Sequence, residues 1–142
     1  MALKELPGDV FVTGQIDLVS LNALAEQGVM SFINNRPDNE ALMQPSSASL
    51  AEAAQELGVD YKHIPMSGGL SSDILEKSVE AFKTMPRPIV AFCASGTRSA
   101  ALWGFAHVKS LGVDSVLEAV SGAGYNLEQI RQPLKQFSES QS

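Results

Sequence analysis

Short apolar runs alternate along this chain with segments whose apolar residues recur at helical spacing. Strands are predicted at 9–14, 29–34, 60–65 and 89–92, and helices at 17–28, 47–58, 73–85, 97–112 and 127–137. Pro133 is expected to bend or restart the last helix. Strands that are separated by helices usually form a parallel sheet covered on both faces. The order therefore predicts a three-layer α/β fold, with a central, mostly parallel sheet of about four strands flanked by helices.

Length and charge restrict the classes of protein to which the chain can belong. Its 142 residues suit a single domain, 1–142, with a frayed polar tail at 136–142. The net charge of -6, without a basic cluster, argues against nucleic acid as a partner. No apolar stretch approaches the ~20 residues that span a bilayer, and the N-terminus lacks the apolar segment of a secretion signal. We therefore expect a soluble, cytoplasmic protein without a membrane partner.

The single cysteine, Cys93, follows an apolar strand in the stretch IVAFCASGTRSAAL, residues 89–102. Ligands of open α/β folds bind at such strand ends. Gly96 permits a tight turn, and Arg98 falls in the first turn of the next helix, so backbone amides are able to converge above the sulfur. Amides, helix dipole and guanidinium favour thiolate over thiol. A buried free cysteine is the alternative, but the unbroken strand, turn and helix favour a nucleophile.

The stretch that begins at Cys93 resembles the catalytic loops of two enzyme families. Protein tyrosine and dual-specificity phosphatases carry His-Cys, five residues and Arg. Rhodanese-type sulfurtransferases carry Cys, four residues and Arg, often followed by Ser. CASGTRS, residues 93–99, has four residues between Cys and Arg, and Phe92 stands where the phosphatases have histidine. The loop therefore resembles that of the sulfurtransferases.

The rest of the chain resembles the first of these families. VTGQIDLVSLNALAEQGVMSFINNRPDNE and YKHIPMS are similar to the opening strands and helix of dual-specificity-like phosphatases. This mixture, over roughly residues 8–135, resembles the bacterial phosphatase-like domain of β-lactamase hydrolase-like proteins. The resemblance implies a protein tyrosine or dual-specificity phosphatase-like fold. Some members are fused to a persulfide dioxygenase linked to sulfide oxidation, which suggests a persulfide dioxygenase as a partner.

Two features favour sulfur transfer over ester hydrolysis. A phosphatase loop holds a PO3 group during in-line attack, whereas a shorter loop need only shelter one sulfur atom. The resembling phosphatases also place an acid shortly after an Ile-Pro pair, where this chain has Gly68 and Gly69. Asp73 is the nearest carboxylate, and its position before a helix predicts an N-terminal cap rather than a general acid. A thiolate leaving group needs little protonation.

The predicted activity is therefore rhodanese-type sulfur transfer through a persulfide on Cys93, which Arg98 and the amides of residues 94–98 stabilise. The partners would be a small sulfur donor and a thiol or cyanide acceptor, and neither a cofactor nor a metal is implied. The Ser99 hydroxyl is expected to donate to the thiolate. The remaining residues of the predicted anion-binding loop are Ala94, Ser95, Gly96 and Thr97. Two alternatives stay open: a cysteine-dependent phosphatase that acts on a phosphate ester through a phosphocysteine, and a non-enzymatic persulfide carrier or sensor.

Other polar and aromatic residues are assigned structural roles. His63 and His107 have no cysteine or carboxylate at ligand spacing, which indicates structural histidines. The turn RPDNE at 36–40 could lie at the rim of the site, as the corresponding turn does in the resembling family. A solvated polar turn explains these residues equally well, so they are left out of the predicted site. SGAGYN at 121–126 is predicted to be a turn, and Trp103 with Phe105 to lie in the core.

Overall fold

A mixed five-stranded sheet organises residues 3–140, the part of the chain that the computed structural model describes. The strands are β1 (Lys4–Leu6), β2 (Val10–Thr13), β3 (Ser31–Asn34), β4 (Asp60–His63) and β5 (Ile89–Phe92). Their order in the sheet is β1-β2-β5-β3-β4, and only β1 runs antiparallel to its neighbour. The predicted α/β fold with a mostly parallel sheet is confirmed. The additional strand, β1, has three residues and is too short to show a period in the sequence.

The described helices cover both faces of this sheet. They are α1 (Leu18–Glu26), α2 (Ser47–Leu57), α3 (Ser72–Thr84), α4 (Thr97–Leu111), α5 (Val113–Gly122) and α6 (Arg131–Glu139), with a 3-10 turn at Glu128–Ile130. The sequence did not predict α5, because Gly112 alone separates it from α4 and no polar loop marks the break. Among residues 3–140, no helix combines the length and the apolar character that crossing a bilayer requires.

A new helix starts close to Pro133, as expected. Pro133 lies in the first turn of α6, where its missing N–H is tolerated. The helix then continues to Glu139 and buries Leu134. Most of the segment predicted as a frayed tail is therefore helical, and residues 141 and 142 lie outside the described part. Phe137 packs edge-on against Phe105, with ring centroids 5.8 Å apart.

Small polar side chains start the first three helices. Asp17 caps α1 by accepting a hydrogen bond from the backbone N–H of Ser20 at 2.8 Å. Ser71 caps α3 by accepting from Ile74 N at 3.2 Å. The helix thus begins one residue earlier than predicted, and the cap role expected for Asp73 is wrong. Asp73 lies within the first turn of α3 instead.

Strand β5 occupies the centre of the sheet, and its four side chains are buried on both faces. One face packs on α3, α4 and α6, where Trp103 and Phe105 are buried as predicted. The other face packs on α1 and α2. Each large apolar side chain buried in this way contributes roughly 1.5–3 kcal/mol to folding. The core therefore fixes β5, and with it the residue that follows.

The register of the sheet determines which loops surround Cys93. Phe92, the last residue of β5, pairs with Thr13 of β2 on one side and with Asn34 of β3 on the other. These strands are parallel and end at the same level, so the loops that follow β2 and β3 emerge on either side of Cys93. The candidate site is built from these loops and the N-terminus of α4.

Candidate active site

The sulfur of Cys93 lies below the N-terminal end of α4. Its side chain is fully buried, and the backbone N–H of Gly96 donates to Sγ with an N–S distance of 3.1 Å. Gly96 has a left-handed φ of +95°, which a residue with a side chain rarely adopts. The turn is tight enough to start α4 at Thr97, so the positive end of a 15-residue helix faces the sulfur.

The surroundings of Cys93 favour its ionised form. Burial raises the pKa of the thiol, but four backbone N–H groups lower it by more, so the pKa lies below the usual value of a cysteine. These N–H groups belong to Ser99, Ser95, Gly96 and Arg98. The structure thus brings the predicted loop together around the sulfur, in surroundings that favour the thiolate over the thiol. A thiolate is the nucleophilic form of cysteine.

Arg98 is held from outside the loop by a carboxylate that the sequence prediction left out. Its Nη1 and Nη2 donate to the two carboxylate oxygens of Glu40, both at 2.9 Å, and Nη1 also donates to the carbonyl of Met66 at 2.9 Å. A two-pronged pair of this kind fixes the plane of the guanidinium as well as its position. Glu40 also raises the pKa of Arg98, so this side chain stays positively charged at every pH at which the protein is folded.

Arg36 completes the ion pair around Glu40. Its Nε donates to Glu40 at 2.9 Å, and its Nη1 donates to Gln15 in the loop after β2 at 3.1 Å. Hydrogen bonds from Arg98 and then from Arg36 lower the pKa of the Glu40 carboxyl to about 2. Glu40 is therefore ionised at neutral pH. The turn 36–40 thus forms part of the site and is more than a solvated turn.

The Ser99 hydroxyl does not take the role expected for it. It donates to Oδ1 of Asn35 at 2.8 Å, and Asn35 in turn donates from Nδ2 to the carbonyl of Ile64 at 2.9 Å. These buried bonds tie the start of α4 to the loops that follow β3 and β4. It is the backbone N–H of Ser99, rather than its hydroxyl, that acts on the sulfur.

The outer side of the loop is polar. The side chains of Ala94, Ser95 and Thr97 are exposed, and the Ser95 and Thr97 hydroxyls lie 3.0 Å apart. The hydroxyl of Tyr125 donates to the carbonyl of Ser95 at 3.3 Å. Tyr125 belongs to the stretch predicted only as a turn, and no feature of the sequence indicated its contact with the loop. Burial and then the charge of Cys93 raise the pKa of its phenol.

The two histidines have structural partners, as the sequence predicts. Nε2 of His63 lies 2.8 Å from the carbonyl of Arg36, and Nδ1 of His107 lies 2.8 Å from the carbonyl of Trp103. His107 also stacks on the Trp103 ring, with centroids 4.7 Å apart. Burial lowers the pKa of His107 and favours its neutral form. Within residues 3–140, no three side chains of the metal-binding types come together.

Asp73, the acid considered from the sequence, sits on the exposed face of α3. Its carboxylate pairs with Lys77 at 3.0 Å, and 69% of its side chain is exposed. The loop between β4 and α3 approaches the site through the Met66 carbonyl, which accepts from Arg98. Gly68 and Gly69 of this loop have no side chain that could act as an acid.

Comparison with known proteins places these features in a family. Residues 2–110 match the family model of the β-lactamase hydrolase-like protein, phosphatase-like domain. A β-lactamase hydrolase-like protein of Agrobacterium fabrum is 35% identical over 96 residues, which are 65% of this chain and 22% of the relative. The chain thus spans about a fifth of the length of that relative.

Solved structures agree with the family match. A candidate phosphatase of Neisseria meningitidis, nma1982, superposes with a TM-score of 0.82 at 28% identity, over 96% of this chain and 99% of the other. The catalytic core of the yeast PP-IP phosphatase SIW14 superposes with a TM-score of 0.70 at 16% identity, over 95% and 84%. The second comparison shows likeness of fold alone. The predicted phosphatase-like fold is confirmed.

These matches contradict the predicted rhodanese-type sulfurtransferase, and that interpretation of the loop is wrong. They support an enzyme with a phosphatase-like fold and favour the cysteine-dependent phosphatase that was the alternative. The prediction rested on two features, the short loop between Cys93 and Arg98 and the missing acid after the Ile-Pro pair. The four intervening residues nevertheless direct the Gly96 N–H at the sulfur, and α4 carries Arg98 beside it.

Proposed function

Because the chain belongs to the family of phosphatase-like domains of β-lactamase hydrolase-like proteins, we propose that it is a cysteine-dependent phosphatase. The substrate class is phosphate monoesters, and the intermediate is a phosphocysteine on Cys93. The observation that carries the proposal is the contact of the Gly96 N–H with Sγ at 3.1 Å, within a ring of amides that lowers the thiol pKa. Such a ring stabilises a thiolate and an incoming anion alike.

The reaction consists of two displacements at phosphorus. The Cys93 thiolate attacks the phosphorus atom, the bond between phosphorus and the ester oxygen breaks, and the electron pair leaves with that oxygen. A water molecule then attacks the phosphocysteine, which releases inorganic phosphate and restores the thiolate. The loop amides and Arg98 stabilise the charge on the transferred group in both steps.

Arg98 has one edge of its guanidinium available for the substrate. Glu40 binds the terminal nitrogens Nη1 and Nη2, and Met66 binds Nη1. The edge formed by Nε and Nη2 is the one that suits a phosphoryl oxygen above Cys93. Glu40 therefore orients the cation without competing with the substrate for that edge.

The acids near the loop restrict the leaving group. Both oxygens of Glu40 are bound by arginines and its pKa is about 2, so it carries no proton at neutral pH. Asp73 is paired with Lys77 on an exposed helix face. An ester whose leaving oxygen needs little protonation suits such a site best. We therefore propose aryl phosphates, rather than alkyl phosphates, as the better substrates.

Acid-quenched intact-protein mass spectrometry tests the proposal directly. Purified protein mixed with an aryl phosphate should release the phenol and gain one phosphoryl group on Cys93 during turnover. Cys93→Ser should retain the fold but neither turn over nor form the sulfur-bound intermediate. A wild-type protein that gives neither product nor phosphoprotein with aryl or alkyl phosphates overturns the proposal.

A partner protein stays a prediction. The persulfide dioxygenase suggested by the family resemblance is supported by no contact among the described residues, and the match covers 22% of the Agrobacterium relative. Co-purification of the chain with a persulfide dioxygenase from the same organism would support the partnership. A failure to associate at micromolar concentrations of both purified proteins would contradict it.

A further inference from the structure

One peptide group of the nucleophile loop, residues 93–99, is hydrogen-bonded at both ends. The Ser95 carbonyl accepts from the Tyr125 hydroxyl at 3.3 Å, and the Gly96 N–H donates to Cys93 Sγ at 3.1 Å. This carbonyl and this N–H belong to the same planar peptide unit and point in opposite directions. A contact that fixes the direction of the carbonyl therefore also fixes the direction of the N–H.

Tyr125 is pressed against that peptide. A Cβ added to Gly96 would lie 2.1 Å from the Tyr125 oxygen and 3.0 Å from Cζ, so the absence of a side chain at residue 96 makes room for the phenol. The backbone N–H of Tyr125 is in turn bound to the carbonyl of Val120 at 2.9 Å, at the end of α5. The aromatic ring also packs against the larger apolar cluster. The phenol is thus held by the core, and not only by the loop.

We propose that Tyr125 is a positioning residue of the nucleophile: its hydroxyl holds the Ser95–Gly96 peptide so that the Gly96 N–H remains directed at the sulfur of Cys93. A hydrogen bond to the carbonyl also polarises the peptide and strengthens its N–H as a donor. The inference deepens the proposed function, because catalysis at this site needs the thiolate. Its test measures the thiol itself.

Two other groups near the sulfur set the background against which Tyr125 acts. Arg98 on α4 contributes a positive charge, and the Glu40 carboxylate is bonded to Arg98. Tyr125 also lines a shallow cleft beside the loop, with Lys4 and Gln15 on its other walls. A hydroxyl in that position has a rival role, namely direct contact with the substrate, and the experiment separates the two roles.

The test is the rate of Cys93 alkylation by iodoacetamide as a function of pH, in wild type and Tyr125→Phe. Cys93 is the only cysteine, so the reagent reports on one sulfur. Loss of the hydroxyl should shift the curve to higher pH and slow alkylation about threefold on its acid side, with the same plateau at high pH. The Gly96 amide proton should move upfield in the NMR spectrum, because its hydrogen bond weakens.

Tyr61→Phe is the matched control, since it removes the other tyrosine hydroxyl, which bonds to Asn34 and Ser47. It should leave the alkylation curve where it is. If the curve for Tyr125→Phe superposes on that of the wild type, the proposal is wrong. A fall in turnover with an unchanged curve also overturns it, because Tyr125 would then act on the substrate.

A measurement on the wild type covers the case in which Tyr125→Phe does not fold. The ring resonances of Tyr125 and the amide resonance of Gly96 should follow the ionisation of Cys93 together. Tyr125 resonances that do not change while Gly96 titrates overturn the proposal. A wild type without any phosphatase activity would end the proposed function, yet the alkylation and NMR results would still decide the role of Tyr125.

Discussion

Two loops that leave the same edge of the sheet form the site in different ways. The nucleophile loop, residues 93–99, follows β5 and acts mainly through backbone N–H groups. The orienting loop, residues 35–46, follows β3 and acts through side chains. Glu40 reaches Arg98, and Gln44 accepts from the N–H groups of Glu40 and Ala41 while donating to Pro37.

The difference indicates how each loop responds to substitution. A change of backbone conformation disturbs every donor of the nucleophile loop at once. A side-chain change in the orienting loop removes one contact and leaves the others in place. We therefore expect substitutions in residues 93–99 to reduce activity severely, and substitutions in residues 35–46 to reduce it to differing, smaller extents.

The largest effect short of removing the sulfur is expected for Arg98→Lys. Lysine keeps a positive charge, but it cannot bind Glu40 with one edge and a phosphoryl oxygen with another. We expect kcat/KM for an aryl phosphate to fall by about 10³-fold, the upper end of the effect of losing one transition-state donor. Steady-state kinetics measure the loss, and a decrease below tenfold would contradict the two-edge role of Arg98.

Gly96→Ala should have the second largest effect, a fall in kcat/KM of about 10²-fold. The new Cβ would collide with Tyr125 at 2.1 Å, and the φ of +95° is unfavourable for alanine. The collision moves the N–H away from the sulfur. In the double variant Gly96→Ala/Tyr125→Phe, kcat/KM should fall by less than the product of the two single effects. The reason is that phenylalanine lacks the oxygen that clashes with the new Cβ. Independent effects in this double-mutant cycle would contradict the contact.

Glu40→Gln tests the orienting loop and should cost about tenfold in kcat/KM, because an amide retains the shape but not the charge of the carboxylate. Glu52→Gln on the exposed surface of α2 is the matched control and should leave kinetics unchanged. If Glu40→Gln instead increases kcat/KM, the carboxylate competes with the substrate rather than orienting Arg98.

The ionisation of Glu40 also predicts how its contribution to stability depends on pH. Its pKa of about 2 in the folded protein lies below the ordinary 4.5. The carboxylate therefore stabilises the fold fully above about pH 4.5, and this stabilisation is lost as the pH falls towards 2. The free energies of unfolding of wild type and Glu40→Gln, measured in urea, should differ by a constant amount between about pH 5 and 8. This difference should shrink in acid. A difference that grows in acid would contradict the ion pair.

The smallest effect is expected at the tip of the orienting loop. Met43 is 98% exposed and has a left-handed φ of 65°. Met43→Gly relieves that conformation while adding chain entropy, so unfolding free energy should change by less than ~1 kcal/mol. Activity should not change, in contrast with Gly96→Ala in the other loop. Equilibrium denaturation and aryl phosphate kinetics provide the two readouts, and a tenfold loss of activity would assign the tip a role in the site.

The sequence was informative where one contiguous segment determines the geometry. Cys93, Gly96 and Arg98 lie within six residues of one another, and a strand, a turn and a helix start are enough to bring them together. The alternation of strands and helices likewise predicted the layers, because period and chain order determine them. The short β1 and the helix α5 gave no comparable signal.

The contacts of Glu40, Asn35 and Tyr125 depend on long-range pairing. Glu40 and Arg98 are 58 residues apart, and Tyr125 and Ser95 are 30 apart. Only the strand order, which places β3 next to β5, brings Glu40 to the nucleophile loop. Ser99 illustrates a second limit, since Asn35 competes for its hydroxyl. The choice between phosphate and sulfur transfer was wrong because neither the length of the loop nor the missing acid describes where the N–H donors of the loop point.

Because β5 lies at the centre of the sheet, the two loops of the site differ in how easily they unfold. Its four side chains are buried on both faces, and it is paired with β2 and β3. The amides of such a strand exchange with solvent deuterium only when the whole domain unfolds, whereas the amides of an exposed loop exchange through small fluctuations. Cys93 follows this buried strand directly, while Glu40 sits on a loop whose middle, residues 38–43, is exposed. Partial unfolding would therefore free the arginine from its carboxylate long before it loosened the nucleophile.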